Sequence, residues 1–120
     1  MAFAGKVILI TGASSGIGAA TAVHFSQLGA LLSLTGRNLQ RLNEVAERCK
    51  PNKPLVITGE LNNEKDVENI VKSTIKHYGK LDVLVNNAGI LESGSIENTS
   101  LEQYDRYKHI SYIYKQYLNL

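Results

Sequence analysis

Val7-Ile8-Leu9-Ile10-Thr11-Gly12-Ala13-Ser14-Ser15-Gly16-Ile17-Gly18 is the stretch whose reading decides the fold. Four apolar residues in unbroken succession read as a parallel strand covered on both faces. The glycine-rich run Thr11–Gly18 follows directly and opens into Ala19-Ala20-Thr21-Ala22-Val23, a small-residue helical pattern. A strand, a tight turn and a helix N-terminus in that order make an anion site, because backbone N–H groups point outward and the helix dipole favours negative charge. Glycine is required where a side chain would hold phosphates off the backbone or meet the next strand. The run therefore reads as the pyrophosphate cradle of a dinucleotide-binding unit. Its G-x-x-x-G-x-G spacing differs from the general G-x-G-x-x-G fingerprint, and it lacks the Gly-Lys-Ser/Thr of a P-loop. A simple strand-to-helix turn is the plainer reading of the same glycines. The strand before the run and the helix after it favour the cradle.

Working outward, Ile17, Thr21, Phe25 and Leu28 mark a helix that ends at Gly29, a natural C′ residue. Its alanines suit close packing against a sheet. Ala30–Thr35 is a second strand, and Gly36-Arg37-Asn38 a turn with Asn38 as N-cap. Leu39, Leu42, Val45, Ala46 and Cys49 follow at helical spacing, with Pro51 and Pro54 ending that helix. Leu55–Thr58 is a third strand and Gly59–Asn63 a loop. Val67, Ile70, Val71, Thr74, Ile75 and Tyr78 mark one face of a helix closed by Gly79. Leu81–Val85 is a fourth strand, ending in Asn86-Asn87-Ala88-Gly89; Ser100-Leu101-Glu102-Gln103 is a capping box opening a last helix. Strands alternating with helices predict an α/β fold with a parallel sheet, the first half of a doubly wound sheet with strand order 3-2-1-4. In such a sheet, ligands bind outside the carboxyl ends of the strands at the switch point, which strands one and four would flank. Asn86–Gly89 lies there. Paired asparagines can also simply terminate a strand.

The second signal is an absence. NAD-binding units place an Asp or Glu about 20 residues past the glycine loop, on the ribose 2′-hydroxyl. No acidic residue precedes Glu44 here; Gly36 holds that position and Arg37 follows. A carboxylate would repel a 2′-phosphate, whereas a guanidinium pairs with it bidentately. Arg37 is otherwise an ordinary solvated turn residue. Together with the missing acid it favours NADP(H), with NAD(H) the alternative.

At 120 residues, 43% hydrophobic and 20% charged, the chain has the totals of one globular unit. The formal net charge is +2 with basic residues scattered, which gives no nucleic-acid or membrane-surface patch. One cysteine, Cys49, excludes an internal disulfide and a cysteine-based zinc site. Apolar runs are too short to span a bilayer, and the N-terminus reads as neither signal nor transit peptide. These features predict a cytoplasmic protein with no nucleic-acid or membrane partner and no metal.

Thr11–Gly18, Gly36-Arg37 and Asn86-Asn87-Ala88-Gly89 together resemble the N-terminal half of a short-chain dehydrogenase/reductase, from about Gly5 to Tyr107. The resemblance implies a Rossmann-type sheet and hydride transfer between nicotinamide and a small carbonyl or secondary alcohol. It implies that Gly12, Gly16 and Gly18 shape the turn, that Ser14, Ser15 and Ile17 line the pyrophosphate, and that Arg37 takes the 2′-phosphate. Glu60-Leu61 matches the family's Asp-plus-aliphatic pair beside adenine, with Glu a departure from the usual Asp. Asn87, Ala88 and Gly89 would lie along the nicotinamide ribose, with Asn86 bracing the sheet. The family's catalytic Ser and Tyr-x-x-x-Lys come after a further helix and strand, so no catalytic residue is assigned here. A phenol titrating near pH 10 needs such a neighbouring Lys to act near neutrality. Tyr104-Asp105-Arg106-Tyr107-Lys108 fits that motif literally, but follows the capping box on the wrong element. The Asn that joins the family's proton relay is replaced by Ser111.

Residues 1–110 thus read as the cofactor half and 111–120 as a divergent tail, suggesting a truncated product or altered reading frame. Five tyrosines (Tyr104, Tyr107, Tyr112, Tyr114, Tyr117) crowd this end and read as a sticky helix face. The chain alone is expected to be inactive. The alternative is a non-catalytic dinucleotide binder or interaction protein, pairing as a homo- or hetero-oligomer through the apolar edge Leu81–Val85. Nucleotide-binding methyltransferases also use glycine loops but want an acid after strand two, which Arg37 argues against.

Overall fold

The computed structural model describes residues 2–87. Seven elements follow in the order β1 (Val7–Ile10), α1 (Gly16–Gln27), β2 (Leu31–Gly36), α2 (Leu39–Arg48), β3 (Leu55–Thr58), α3 (Glu64–Tyr78) and β4 (Val83–Val85). The four strands form one sheet in the order β3-β2-β1-β4, every pairing parallel. The expected order is therefore observed. Ala88 and Gly89, the capping box at Ser100, the Tyr104–Lys108 match, Ser111 and the 111–120 tail lie outside the described residues.

Each strand face finds its own cover. Ile8, Ile10, Leu32 and Leu34 are buried with Ala19 and Ala22 of α1 and with Leu42, Val45 and Ala46 of α2. On the opposite face Leu9 joins Val67, Ile70 and Val71 of α3. Period-2 alternation assigns the strand residues to the two sides, and fully burying each large aliphatic stabilises the fold by about 2 kcal/mol. Two hydroxyls are buried on the α3 side as a pair, Thr74 Oγ1 donating to Ser33 Oγ at 2.8 Å.

Three local expectations need correction. Ala19 and Ala22 of α1 face the sheet as expected, but the Ile17, Thr21, Phe25, Leu28 row does not. Gly18, Ala19, Ala22 and Ser26 are buried instead, and Ile17 is 72% exposed. Small side chains bring the helix axis close to the sheet, which the large residues could not do. Phe25 turns aside to meet Phe3 edge-on, ring centres 5.0 Å apart. Strand β2 starts one residue later and runs one further than expected, through Gly36, because Gly36 is still in register with Thr58. Strand β4 is shorter than Leu81–Val85. Asp82 leaves the ladder to fold its carboxylate onto the N–H of Val7 at 2.8 Å, while its own N–H donates to the Val7 carbonyl at 3.0 Å. That hydrogen bond, with Lys80 3.1 Å away, holds the Asp82 carboxyl below its usual range.

Candidate functional site

Because all four strands are parallel, the segments that follow them converge on one edge of the sheet. These are the glycine loop after β1, Arg37-Asn38 after β2, Gly59–Asn63 after β3 and Asn86-Asn87 after β4. The chain winds β1-β2-β3 in one direction and then crosses to β4 on the other side of β1. The crevice between β1 and β4 is the switch point.

The glycine loop is stitched to both neighbours of β1. Thr11 N–H donates to the Val85 carbonyl and Ala13 N–H to that of Thr35, each at 3.1 Å. Gly12 and Gly16 have φ of +62° and +57°, a region that side chains enter only with strain. Gly18 is glycine for a different reason. A Cβ there would fall on the Gly12 carbonyl and come within 2.7 Å of Asn87 Nδ2. Asn87 Nδ2 itself donates a long hydrogen bond to Gly12 O at 3.5 Å, and Thr11 Oγ1 meets Asn86 Oδ1 at 3.2 Å. Loop and strand end thus form one piece, with Asn86 in the bracing position.

Ser15 is the N-cap of α1 with extended backbone, but its side chain makes no capping bond, and the first turn carries no acidic residue. Among the described residues, the positive end of the helix dipole and its leading N–H groups have no anion or side-chain acceptor. Ser14 is half-buried beside Gly36; a Cβ on Gly36 would lie 3.4 Å from Ser14 Oγ and 3.5 Å from Leu42 Cδ2. Ser14, Ser15, Gly16, Ala19 and Ala20 line one wall of a cleft of about 400 Å³, with Arg41, Glu44, Val45 and Arg48 of α2 opposite.

Arg37 is exposed immediately beyond β2, and Gly59 N–H donates to Gly36 O at 3.2 Å, which draws the ends of β2 and β3 together. Glu60 is exposed, its N–H held by Asp66 Oδ2 at 2.9 Å. Leu61 turns inward against the α3-side core. Thr35 Oγ1, buried at the end of β2, has no hydrogen-bond partner among the described residues. A hydroxyl near the end of a Leu-rich strand is the only hint of it in the sequence. Arg41 is likewise a residue that motif reading passed over. Among the described residues no group of His, Cys, Asp and Glu could hold a metal ion, and no helix is long and apolar enough to cross a membrane.

The model of the short chain dehydrogenase family matches residues 6–113. The chain belongs to the short-chain dehydrogenase family. An uncharacterized oxidoreductase of Thermotoga maritima is 44% identical over 108 residues, covering 88% of this chain and 42% of that protein. 11-beta-hydroxysteroid dehydrogenase 1A of Arabidopsis thaliana is 47% identical over 97 residues, 78% of this chain and 28% of its own length. Among solved structures, L-sorbose reductase of Gluconobacter frateurii, complexed with NADPH and L-sorbose, superposes with a TM-score of 0.81 at 32% identity. The superposition covers 98% of this chain and 48% of that one. The glucose dehydrogenase of Caenorhabditis elegans gives 0.80 at 31%, covering 98% and 52%. The chain spans less than half the length of these curated relatives. The structure therefore presents the Rossmann-type N-terminal half of a short-chain dehydrogenase.

Proposed function

We propose that the chain is the dinucleotide-holding half of an NADP(H)-dependent oxidoreductase acting on a small carbonyl or secondary alcohol. The observation that carries this reading is Gly18, where any side chain would occupy the space between the Gly12 carbonyl and Asn87. That close approach ties the loop to α1 and Asn87 and sets the leading end of the helix beside Ser14 and Ser15, the arrangement a bound diphosphate needs. In this arrangement Gly12, Gly16 and Gly18 shape the turn, while Ser14, Ser15 and Ile17 flank the pyrophosphate. Arg37 meets the 2′-phosphate, Glu60-Leu61 border the adenine, and Asn87, Ala88 and Gly89 run along the nicotinamide ribose. The dinucleotide would give a hydride to a carbonyl or take one from an alcohol; this chain's residues bind it, orient it and keep its charge compensated. The absence of a carboxylate at Gly36 supports NADP(H), as do the NADPH bound to L-sorbose reductase and the NADP bound to a short chain dehydrogenase of Burkholderia cenocepacia. Residues 1–110 form the binding unit, and the buried, reduced Cys49 suits a cytoplasmic setting.

No residue of the 120-residue chain is assigned to proton transfer, so it should bind without turning over. Calorimetric titration of the purified chain is expected to show NADPH binding at least tenfold tighter than NADH, with no carbonyl-dependent NADPH oxidation. Failure to bind either dinucleotide would remove the reading. A second reading, a non-catalytic binder that pairs with another copy or an intact family member, is favoured by β4. Among the described residues β4 pairs with β1 alone and so presents an open edge. Size-exclusion chromatography separates the two: a monomer that binds NADPH speaks for the first, obligate assembly for the second.

A further inference from the structure

Thr35 Oγ1 sits in a residue 1% exposed, and no group among the described residues bonds it. Alternation fixes the face it occupies. Leu32 and Leu34 lie among the α1 and α2 side chains, while Ser33 meets Thr74 of α3, so Thr35 shares the α3 face. The cover on that face is the aliphatic cluster of Leu9, Val67, Ile70 and Val71, which offers a hydroxyl no acceptor. Register supplies the nearest neighbours. Ile57 of β3 stands on one side of Thr35, and because Ile10 pairs with Leu34, Thr11 stands on the other. Thr11 is fully buried, its hydroxyl directed to Asn86 Oδ1 at 3.2 Å and to the Val85 carbonyl at 3.4 Å. One proton serves one of those acceptors at a time, and the Thr11 oxygen keeps lone pairs with which to accept. The two threonine hydroxyls make no bond to each other, and neighbouring strands about 5 Å apart set them at roughly the span that one water bridges. A buried hydroxyl left unbonded is costly, and protein interiors meet such groups with ordered water.

We propose that the Thr11 and Thr35 hydroxyls hold a buried water between the ends of β1 and β2. Through it, and resting on the dinucleotide reading above, Thr35 is a positioning residue for the glycine loop. The Thr35 O–H donates to the water, the water to Thr11 Oγ1, and Thr11 passes its own proton to Asn86. Hydrogen bonds then run unbroken from β4 through β1 to β2, each polarising the next. The same two residues hold the loop by their backbones, for the Ala13 N–H donates to the Thr35 carbonyl and the Thr11 N–H to that of Val85. The water therefore ties together the two points from which the loop hangs.

The test uses the full chain with Thr35→Val, which keeps the shape and discards the hydroxyl, and Thr35→Ser, which keeps the hydroxyl and discards a methyl. Thr35→Val should lower the urea midpoint and weaken NADPH about fivefold, the equivalent of one lost hydrogen bond. Thr35→Ser should bind NADPH as the unaltered chain does. Cross-relaxation NMR should find a long-lived water beside the Thr35 methyl, and none in Thr35→Val. If Thr35→Val raises the urea midpoint, the hydroxyl is unbonded in the folded protein and the water site is wrong. If both variants weaken NADPH equally, packing rather than the hydroxyl matters and the positioning role is wrong. If the midpoint falls and the water signal vanishes while affinity holds, the site stands and the positioning role is again wrong. If the unaltered chain binds no NADPH, the dinucleotide reading fails and takes the positioning role with it, while the midpoint and the water signal still decide the site.

Discussion

Two helices start at the same edge of the sheet, and they start differently. At α3, Asn63 Oδ1 accepts from Lys65 N–H at 3.0 Å and Asp66 N–H at 3.3 Å, and Glu64 and Asp66 place negative charge in the first turn. At α1, Ser15 offers no side-chain bond and no acid follows. The first terminus is satisfied by its own residues. The second forgoes about 1 kcal/mol of capping stability, and among the described residues no side chain takes up its donors. The contrast separates what the fold needs from what a ligand needs.

The largest effect should come from Gly18→Ala, which puts a methyl onto the Gly12 carbonyl. Dinucleotide affinity should fall more than a hundredfold and stability by about 1–3 kcal/mol, read by calorimetric titration and urea unfolding. Retained affinity would mean that the loop's close approach is not what binds. Ser15→Asp should close α1 in the manner of α3. Affinity should drop at least tenfold through repulsion of the phosphates, while the midpoint of unfolding rises by the equivalent of about 0.5–1 kcal/mol. The reciprocal change, Asn63→Ala, should cost about 1 kcal/mol with dinucleotide affinity altered less than twofold. If Ser15→Asp and Asn63→Ala move stability the same way, the two termini are not the opposites described here.

Smaller effects bear on the scaffold. Tyr78 donates its hydroxyl to the Leu32 carbonyl at 2.8 Å, and burial raises its phenol pKa. Tyr78→Phe should therefore lower stability by about 1 kcal/mol without changing affinity. Asp82 contributes stability in the opposite pH sense to a raised group. Its carboxyl is held down by the Val7 N–H, so its contribution is full above the ordinary carboxylate pKa and lost as pH falls through the lower folded value. Acid titration of unfolding should show a small loss below about pH 4, absent in Asp82→Asn.

The alternation of strands and helices, the strand order and the tight glycine turn after β1 were legible because they rest on strong local signals. Val7–Ile10 is uninterrupted, Gly29 and Gly79 close helices, and Asn38 and Asn63 begin them. Asn63 itself was read only as loop, since the capping role of an Asn depends on where the helix begins. The face of α1 was legible in its alanines but not in Gly18 and Ser26, because periodicity is sought among large residues, while this helix is held close by Gly18, Ala19, Ala22 and Ser26. Asp82 was placed in a strand because Leu81-Asp82-Val83 alternates acceptably. Only the nearness of the Val7 N–H, 75 residues away, decides otherwise. Arg41 has no motif around it; its place in the wall of the cleft comes from α2 lying against the glycine loop. Interactions between elements are where the sequence is silent.

The two backbone bonds that stitch the glycine loop, Thr11 to Val85 and Ala13 to Thr35, have a consequence for assembly. The loop reaches its binding shape only once strands from both flanks have docked, one of them formed more than seventy residues later in the chain. A ligand that recognises the loop therefore selects molecules whose β1–β4 junction is closed. By mass action, dinucleotide at a hundred times its dissociation constant favours that closed form by about 2.7 kcal/mol. Amide exchange at Thr11 should slow as dinucleotide is added, the outcome expected if the nucleotide acts as a clasp on β4, the last strand of the described residues.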